Sequence, residues 1–127
     1  MTTTVEPSWS AVTGAIRVQQ AAGALELVAA EHLRSHRLKL SQYLMLAILA
    51  DAPDATARST DIASRLGITT GGVTRLVARS VARGYVTRKP NPADRRSVLI
   101  TSTAYGRQRM EEATPGFVDL VAGLVVA

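Results

Sequence analysis

The sequence predicts a mainly α-helical domain carrying one small β-hairpin, and three observations predict it. Apolar residues recur at helical spacing through most of the chain. Two β-branched, alternating runs, Tyr85-Val86-Thr87-Arg88 and Ser97-Val98-Leu99-Ile100-Thr101, flank a Pro/Asn/Asp turn and read as a hairpin. A length of 127 residues with 46% hydrophobic side chains suits one globular domain with a real core rather than a disordered chain.

Residues 1 to about 8 are polar, contain Pro7 and are expected to be loose. From Trp9 to about Arg34 an apolar stripe (Trp9, Val12, Ile16, Leu27, Ala30, Leu33) predicts a long helix. Val18, Ala21, Ala22, Leu25 and Val28 widen that stripe, so the helix is expected to pack on more than one partner. Ser41 reads as the N-cap of a helix over Gln42–Leu49, apolar nearly all round and therefore central. A proline turn at Asp51-Ala52-Pro53-Asp54 stops it.

Ser59 or Thr60 can cap a short helix with Asp61 in its first turn, closed by Gly67. A second helix runs from about Thr70 to Arg83 and ends at Gly84. Its periodicity turns Val73, Leu76, Val77 and Val81 inward, and Thr70, Gly71, Thr74, Arg75, Ala78 and Arg79 outward. Two short helices around a tight turn form a helix-turn-helix. From Thr103 to Ala127 the composition is helical, but Thr114-Pro115-Gly116 predicts two pieces.

Charge is distributed unevenly. From Arg58 to Arg96 nine Arg/Lys face two acids, a net +7, whereas the rest of the chain carries −2 of the total +5. A cationic patch on one sub-region is the electrostatic footprint of a nucleic-acid binder; a generally arginine-rich composition would not leave an acidic remainder. The absence of cysteine excludes disulfides, thiolate metal sites and thiol redox switches. No apolar run reaches the roughly 18–20 residues of a bilayer span, so no membrane partner is expected. The start lacks a basic end followed by an apolar stretch, so no secretory signal is read and a cytoplasmic location is expected.

The most informative stretch is Pro90-Asn91-Pro92-Ala93-Asp94-Arg95-Arg96-Ser97-Val98-Leu99-Ile100-Thr101, lying behind the basic helix Gly72-Val73-Thr74-Arg75-Leu76-Val77-Ala78-Arg79. A basic helix beside a basic β-tip can grip one face of a DNA duplex in two grooves. With Asp61-Ile62-Ala63-Ser64-Arg65-Leu66-Gly67-Ile68, Ala82-Arg83-Gly84-Tyr85-Val86 and Gly106, these segments resemble the winged helix-turn-helix of the multiple antibiotic resistance regulator (MarR) family. A bare helix-turn-helix is a weak signal; the Asp-Arg-Arg-Ser-Val-Leu-Ile-Thr wing in place behind it is a strong one. The resemblance implies a bacterial transcription factor that binds DNA as a homodimer. It further implies a repressor released by a small aromatic or amphipathic ligand. It divides the chain into a DNA-binding region over residues 41–101 and helical dimerisation regions over 9–40 and 102–127. A short C-terminal arm broken at Pro115 departs from the family pattern.

Arg75 and Arg79, four apart, face one side of their helix; the reading is one guanine contact shared between them, against a merely solvated face. Thr70 and Thr74 place hydroxyls where the helix would enter the groove, although Thr70 suits an N-cap equally well. Gly71 and Gly72, costing ~1 kcal/mol each in helix propensity, allow close backbone approach or are simply tolerated at a helix start. Arg95 and Arg96 form the wing, where an arginine inserted into the narrow minor groove meets enhanced negative potential. The family resemblance favours Arg96 as the inserted side chain or its brace. Asp94 is read as aiming a neighbouring arginine, and Arg88 and Lys89 as phosphate contacts; the competing reading of the tip is an ordinary charged turn.

His32 and His36, spaced i, i+4 with Glu31 beside them, have the geometry of a metal pair. They lack a third well-spaced ligand, and histidines favour helix C-termini for dipole reasons alone, so no metal or cofactor is expected. Trp9, Tyr43, His32 and His36 are candidates for ligand sensing, or plain core. No acid/base pair or nucleophile constellation emerges, so no enzyme is read. A winged-helix protein-interaction or antirepressor module that does not read operators stands as the alternative.

Overall fold

A computed structural model describes residues 9–126, so the expected loose start lies outside the described residues. Five helices are present among them: α1 (Trp9–Arg34), α2 (Leu40–Ala50), α3 (Ser59–Leu66), α4 (Thr70–Ala82) and α5 (Ala104–Val126). Three strands, β1 (Thr56–Arg58), β2 (Val86–Pro90) and β3 (Val98–Ser102), form an antiparallel sheet in the order β1-β3-β2. The mainly α architecture with a small hairpin is as expected. No helix among the described residues is long and apolar enough to cross a membrane.

The core is one cluster built around α2. Met45, Leu46 and Leu49 are fully buried and pack with Leu33 of α1, Ile62 of α3, and Val73, Leu76 and Val77 of α4. Tyr85, Val86, Ile100, Met110 and Ala113 complete it. Each fully buried side chain of this size contributes about 1.5–3 kcal/mol, so α2 supplies more of the core than its eleven residues suggest.

Several boundaries differ from the sequence reading. Ser41 lies inside α2; Lys39 is the N-cap, and its amide donates to Gln42 Oε1 at 3.0 Å, which is half of a capping box. Likewise neither Ser59 nor Thr60 caps α3: the N-cap is Arg58, which pairs with Asp61 at 3.0 Å. The hydroxyl of Ser59 is engaged by the sheet instead, accepting from the Val98 amide at 3.0 Å. Residues Thr56–Arg58, to which the sequence pattern assigns no element, pair with β3 at Thr56↔Thr101, Ala57↔Ile100 and Arg58↔Leu99. Three residues are too few for an alternating pattern to show.

The C-terminal segment is one helix, not two. Pro115 sits inside α5 and removes a single backbone donor, while packing on both sides of it holds the helix together. Before the proline, Met110 and Ala113 are buried; after it, the Phe117 ring lies 4.4 Å from that of Tyr43. Thr114 Oγ1 donates to the Met110 carbonyl at 2.8 Å and accepts from the Tyr43 hydroxyl at 2.9 Å. Tertiary contacts outweigh local helix preference here.

The arm formed by α1 and α5 is anchored at its base. His32 Nε2 donates to the Ala113 carbonyl at 2.9 Å, and Gly116 leaves the room its ring occupies. The α1–α2 link turns through Arg37 at φ 62°, whose carbonyl accepts a hydrogen bond from the buried Tyr85 hydroxyl. Burial holds that hydroxyl above the ordinary tyrosine pKa. Beyond the base, the apolar stripe finds no cover among the described residues: Trp9, Val18 and Leu27 are 70%, 70% and 78% exposed. Only Ala29 and Leu33 of α1 are fully buried.

At the start of α5, Thr103 Oγ1 accepts from the Gly106 amide at 3.0 Å, and the helix passes directly over the backbone of Tyr85. A Cβ at position 106 would overlap the Tyr85 carbonyl, which cannot swing aside as a side-chain tip can. Gly106→Ala is therefore expected to lower the unfolding free energy by about 1–3 kcal/mol, the usual range for overpacking, in urea titrations.

Candidate nucleic-acid interface

α3 ends at Gly67, at φ 65° where glycine is favoured, and Ile68-Thr69 turn the chain into α4. The cap of α4 is Thr69, whose hydroxyl accepts from the Gly72 amide at 3.0 Å; Thr70 is the first helical residue rather than the cap. Gly72 lies against Ile68 and Thr69, whereas Gly71 is exposed beside Arg75. Thus one glycine serves the turn and the other leaves open surface.

The inner face of α4 is Val73, Leu76, Val77 and Ser80; Ser80 is fully buried and donates to the Leu76 carbonyl at 2.8 Å. Val81, expected inside, is 38% exposed. Helical geometry explains the exchange: Ser80, seven residues after Val73, returns to the same face, while Val81 falls about 80° away from it. On the outer face Thr70, Gly71, Thr74, Arg75, Ala78 and Arg79 are all exposed, as expected. The Thr74 hydroxyl donates to the Thr70 carbonyl at 2.9 Å, leaving its acceptor lone pairs outward.

β2 and β3 form the wing, paired from Val86↔Ser102 to Pro90↔Val98. Strand alternation puts Arg88 on the face toward α4 and sends Lys89 to the other. Between α4 and the wing lies a groove of about 160 Å³. The structure brings Thr70, Thr74, Arg88, Arg95 and Arg96 to it, over an apolar floor that includes Val73, Val77 and Val98. Arg75, Arg79, Lys89 and Asp94 do not line it. Ser59 and Ser97, which the sequence reading passed over as site residues, do. No local pattern marks Ser59; only the fold brings α3 against the wing.

Among the described residues, Arg75, Arg79, Arg88, Lys89 and Arg95 make no ion pair, so their charge is left to the surface. Arg96 projects with its side chain 93% exposed. Asp94 holds it chiefly through the backbone: Oδ1 accepts from the Arg96 amide at 2.9 Å, with the guanidinium at 3.5 Å. The Arg96 amide bond, supported by the Arg96 charge, keeps the Asp94 carboxyl below the ordinary aspartate pKa.

His32 and His36 have ring centroids 4.9 Å apart, but His32 is committed to α5. No group of three or more His, Cys, Asp or Glu among the described residues is arranged to hold a metal ion. Tyr43 is buried and part of the core, whereas Trp9 lies exposed on the arm.

Residues 37–97, from the α1–α2 link to the wing, match the model of the MarR family. Over 96 residues, 75% of the chain, the sequence is 28% identical to the HTH-type transcriptional repressor YetL of Bacillus subtilis (strain 168). The match spans 58% of that relative's length. Through its helix-turn-helix and wing the chain is similar to the MarR family. The chain is also similar to Sco3205, a MarR family transcriptional regulator from Streptomyces coelicolor solved in complex with DNA. That likeness has 26% identity and a TM-score of 0.81, and covers 98% of this chain and 78% of the other. Sco5413 from the same organism is 28% identical with a TM-score of 0.77, over 97% and 83% of the two chains.

The geometry of the wing and of α4 has two measurable consequences. The carboxylate form of Asp94 accepts the tip's bonds, so its folded pKa lies below the unfolded value. It stabilises the tip above the ordinary aspartate range and ceases to as pH falls through the lowered value. The Arg96 amide resonance should titrate at that lower pH in ¹⁵N NMR spectra. Thr69→Ala should cost about 1 kcal/mol of stability in urea unfolding, as loss of an N-cap does.

Proposed function

We propose that this chain regulates transcription as a homodimer that binds an inverted-repeat DNA operator. The observation that carries the reading is the groove between α4 and the wing, rimmed by Arg88 and Arg95, which pair with no carboxylate among the described residues, and by Arg96, whose side chain stays 93% exposed beside Asp94. An exposed helix face fits the major groove, and a cationic hairpin tip fits the minor groove beside it. Sco3205, similar over nearly the whole chain, is a regulator held in complex with DNA. In this reading Arg75 and Arg79 contact bases, Thr70 and Thr74 contact phosphate or base, and Arg88 and Lys89 contact phosphates. Arg95 and Arg96 enter the minor groove, with Asp94 aiming Arg96.

The dimer is supported by the uncovered apolar face of α1, together with Val118 and Leu124 of α5, which are 55% and 36% exposed. Residues 9–40 and 102–127 then dimerise, and 41–101 bind DNA. A two-fold axis between the arms sets two recognition helices about one helical turn of DNA apart. Repression, with release by a small aromatic or amphipathic ligand, belongs to the same proposal; it rests on the likeness to the MarR family and to the repressor YetL.

The test is fluorescence anisotropy on the duplex upstream of the protein's own gene, against scrambled duplex, over a salt series. Log affinity is expected to fall by about 0.9 per phosphate contact for each tenfold rise in salt, with a shallower slope in Arg95→Ala/Arg96→Ala. Arg75→Ala or Arg79→Ala should cost about 1–3 kcal/mol on the specific duplex and little on the scrambled one. Equal, weak binding to both duplexes, unchanged by these substitutions, would instead indicate a protein-interaction module. Sedimentation equilibrium should give twice the chain mass, and a monomer would remove the inverted repeat from the proposal.

A further inference from the structure

Three polar side chains are buried around the wing: Asn91 and Ser59 at 9% exposure and Ser97 at 3%. Buried amides and hydroxyls are costly unless hydrogen bonds replace lost water, and all three are bonded. Asn91 Nδ2 donates across the tip to Ser97 Oγ at 3.1 Å, while its Oδ1 accepts from the Ala93 amide at 3.1 Å. The backbone ladder between β2 and β3 ends at Pro90↔Val98, so the Asn91–Ser97 bond stands where the next rung would be. The Asp94 amide donates to the Asn91 carbonyl and the Ser97 amide to the Asp94 carbonyl, each at 3.2 Å. The two arginines are thus carried on a loop closed from its base.

Ser59 acts at the wing's other edge. The β1–β3 ladder ends at Arg58↔Leu99, and Ser59 Oγ, accepting from the Val98 amide, extends it by one bond. Ser59 is also the first residue of α3, which packs on α4. One hydroxyl therefore joins the root of the wing to the helix-turn-helix.

We infer that Asn91 and Ser59 are positioning residues for DNA binding. Asn91 holds the Arg95-Arg96 tip in one shape, and Ser59 fixes the tip relative to α4, so that helix and wing meet two grooves as one body. Neither residue touches DNA in this scheme; each acts by removing conformational freedom that binding would otherwise have to quench. The inference rests on the DNA-binding reading above.

The experiment is a double-mutant cycle on a duplex selected from a random library by the wild-type protein. Arg96→Ala is made alone and in Ser59→Ala and Asn91→Ala backgrounds, with thermal melts for each variant. In wild type, Arg96→Ala should weaken binding by roughly tenfold or more. In either background the same change should weaken it only about threefold or less, because an unplaced wing has little left to lose. Ser59→Thr, which keeps the acceptor, should restore the full effect. In the free wild-type protein the Val98 amide should be protected from hydrogen exchange, a measurement that needs no variant to fold. A full Arg96→Ala effect in every background, or an unprotected Val98 amide, overturns the positioning role and leaves the DNA reading intact. Failure of selection, or no Arg96→Ala effect in wild type, overturns the DNA reading and this inference together.

Discussion

The burial of α2 is the constraint on which the rest of the structure depends. Its side chains Met45, Leu46 and Leu49 are removed from water on all sides, and α1, α3, α4, α5 and β3 each lie against the helix. A helix with no fully exposed residue needs cover on most of its sides, so its neighbours must be arranged around it. That requirement orients α4: once Val73, Leu76 and Val77 face α2, Arg75 and Arg79 have no direction but outward. The functional face of α4 is therefore a consequence of its apolar face.

The same division explains how the protein carries so many neighbouring cations. Arg75, Arg79, Arg88, Lys89 and Arg95 remain in water, where each is well solvated and mutual repulsion is screened over about 8–10 Å at physiological salt. The two acids in this stretch serve local geometry: Asp61 pairs with Arg58 and Asp94 brackets Arg96. Positive potential is thus preserved where α4 and the wing converge. The groove between them keeps an apolar floor, so its shape is set by packing and its rim by charge.

The arm is built on a different principle. Its base is specific, with His32 bonded across to α5, Gly116 making room for the ring, and the Tyr43 and Phe117 rings packed in a tilted pair. Its outer part presents apolar side chains that the described residues leave uncovered.

The sequence by itself determined the four helices α1 to α4, the inward and outward faces of α4 apart from Val81, the hairpin with its arginine tip, and the uneven charge. These are local properties: a period of 3.6 or 2 and a turn composition are written in consecutive residues. The tertiary structure alone decided the continuity of α5 through Pro115, the short strand β1, and the caps at Lys39, Arg58 and Thr69. It alone also brought Ser59 to the wing. For α5, β1 and Ser59 the deciding partner lies far along the chain (Tyr43 and His32 for α5, β3 for β1, Val98 for Ser59), whereas each cap engages a residue three positions on. A hydrogen bond or a packed ring between distant residues leaves no periodic trace, so it becomes legible only when the core has set their positions.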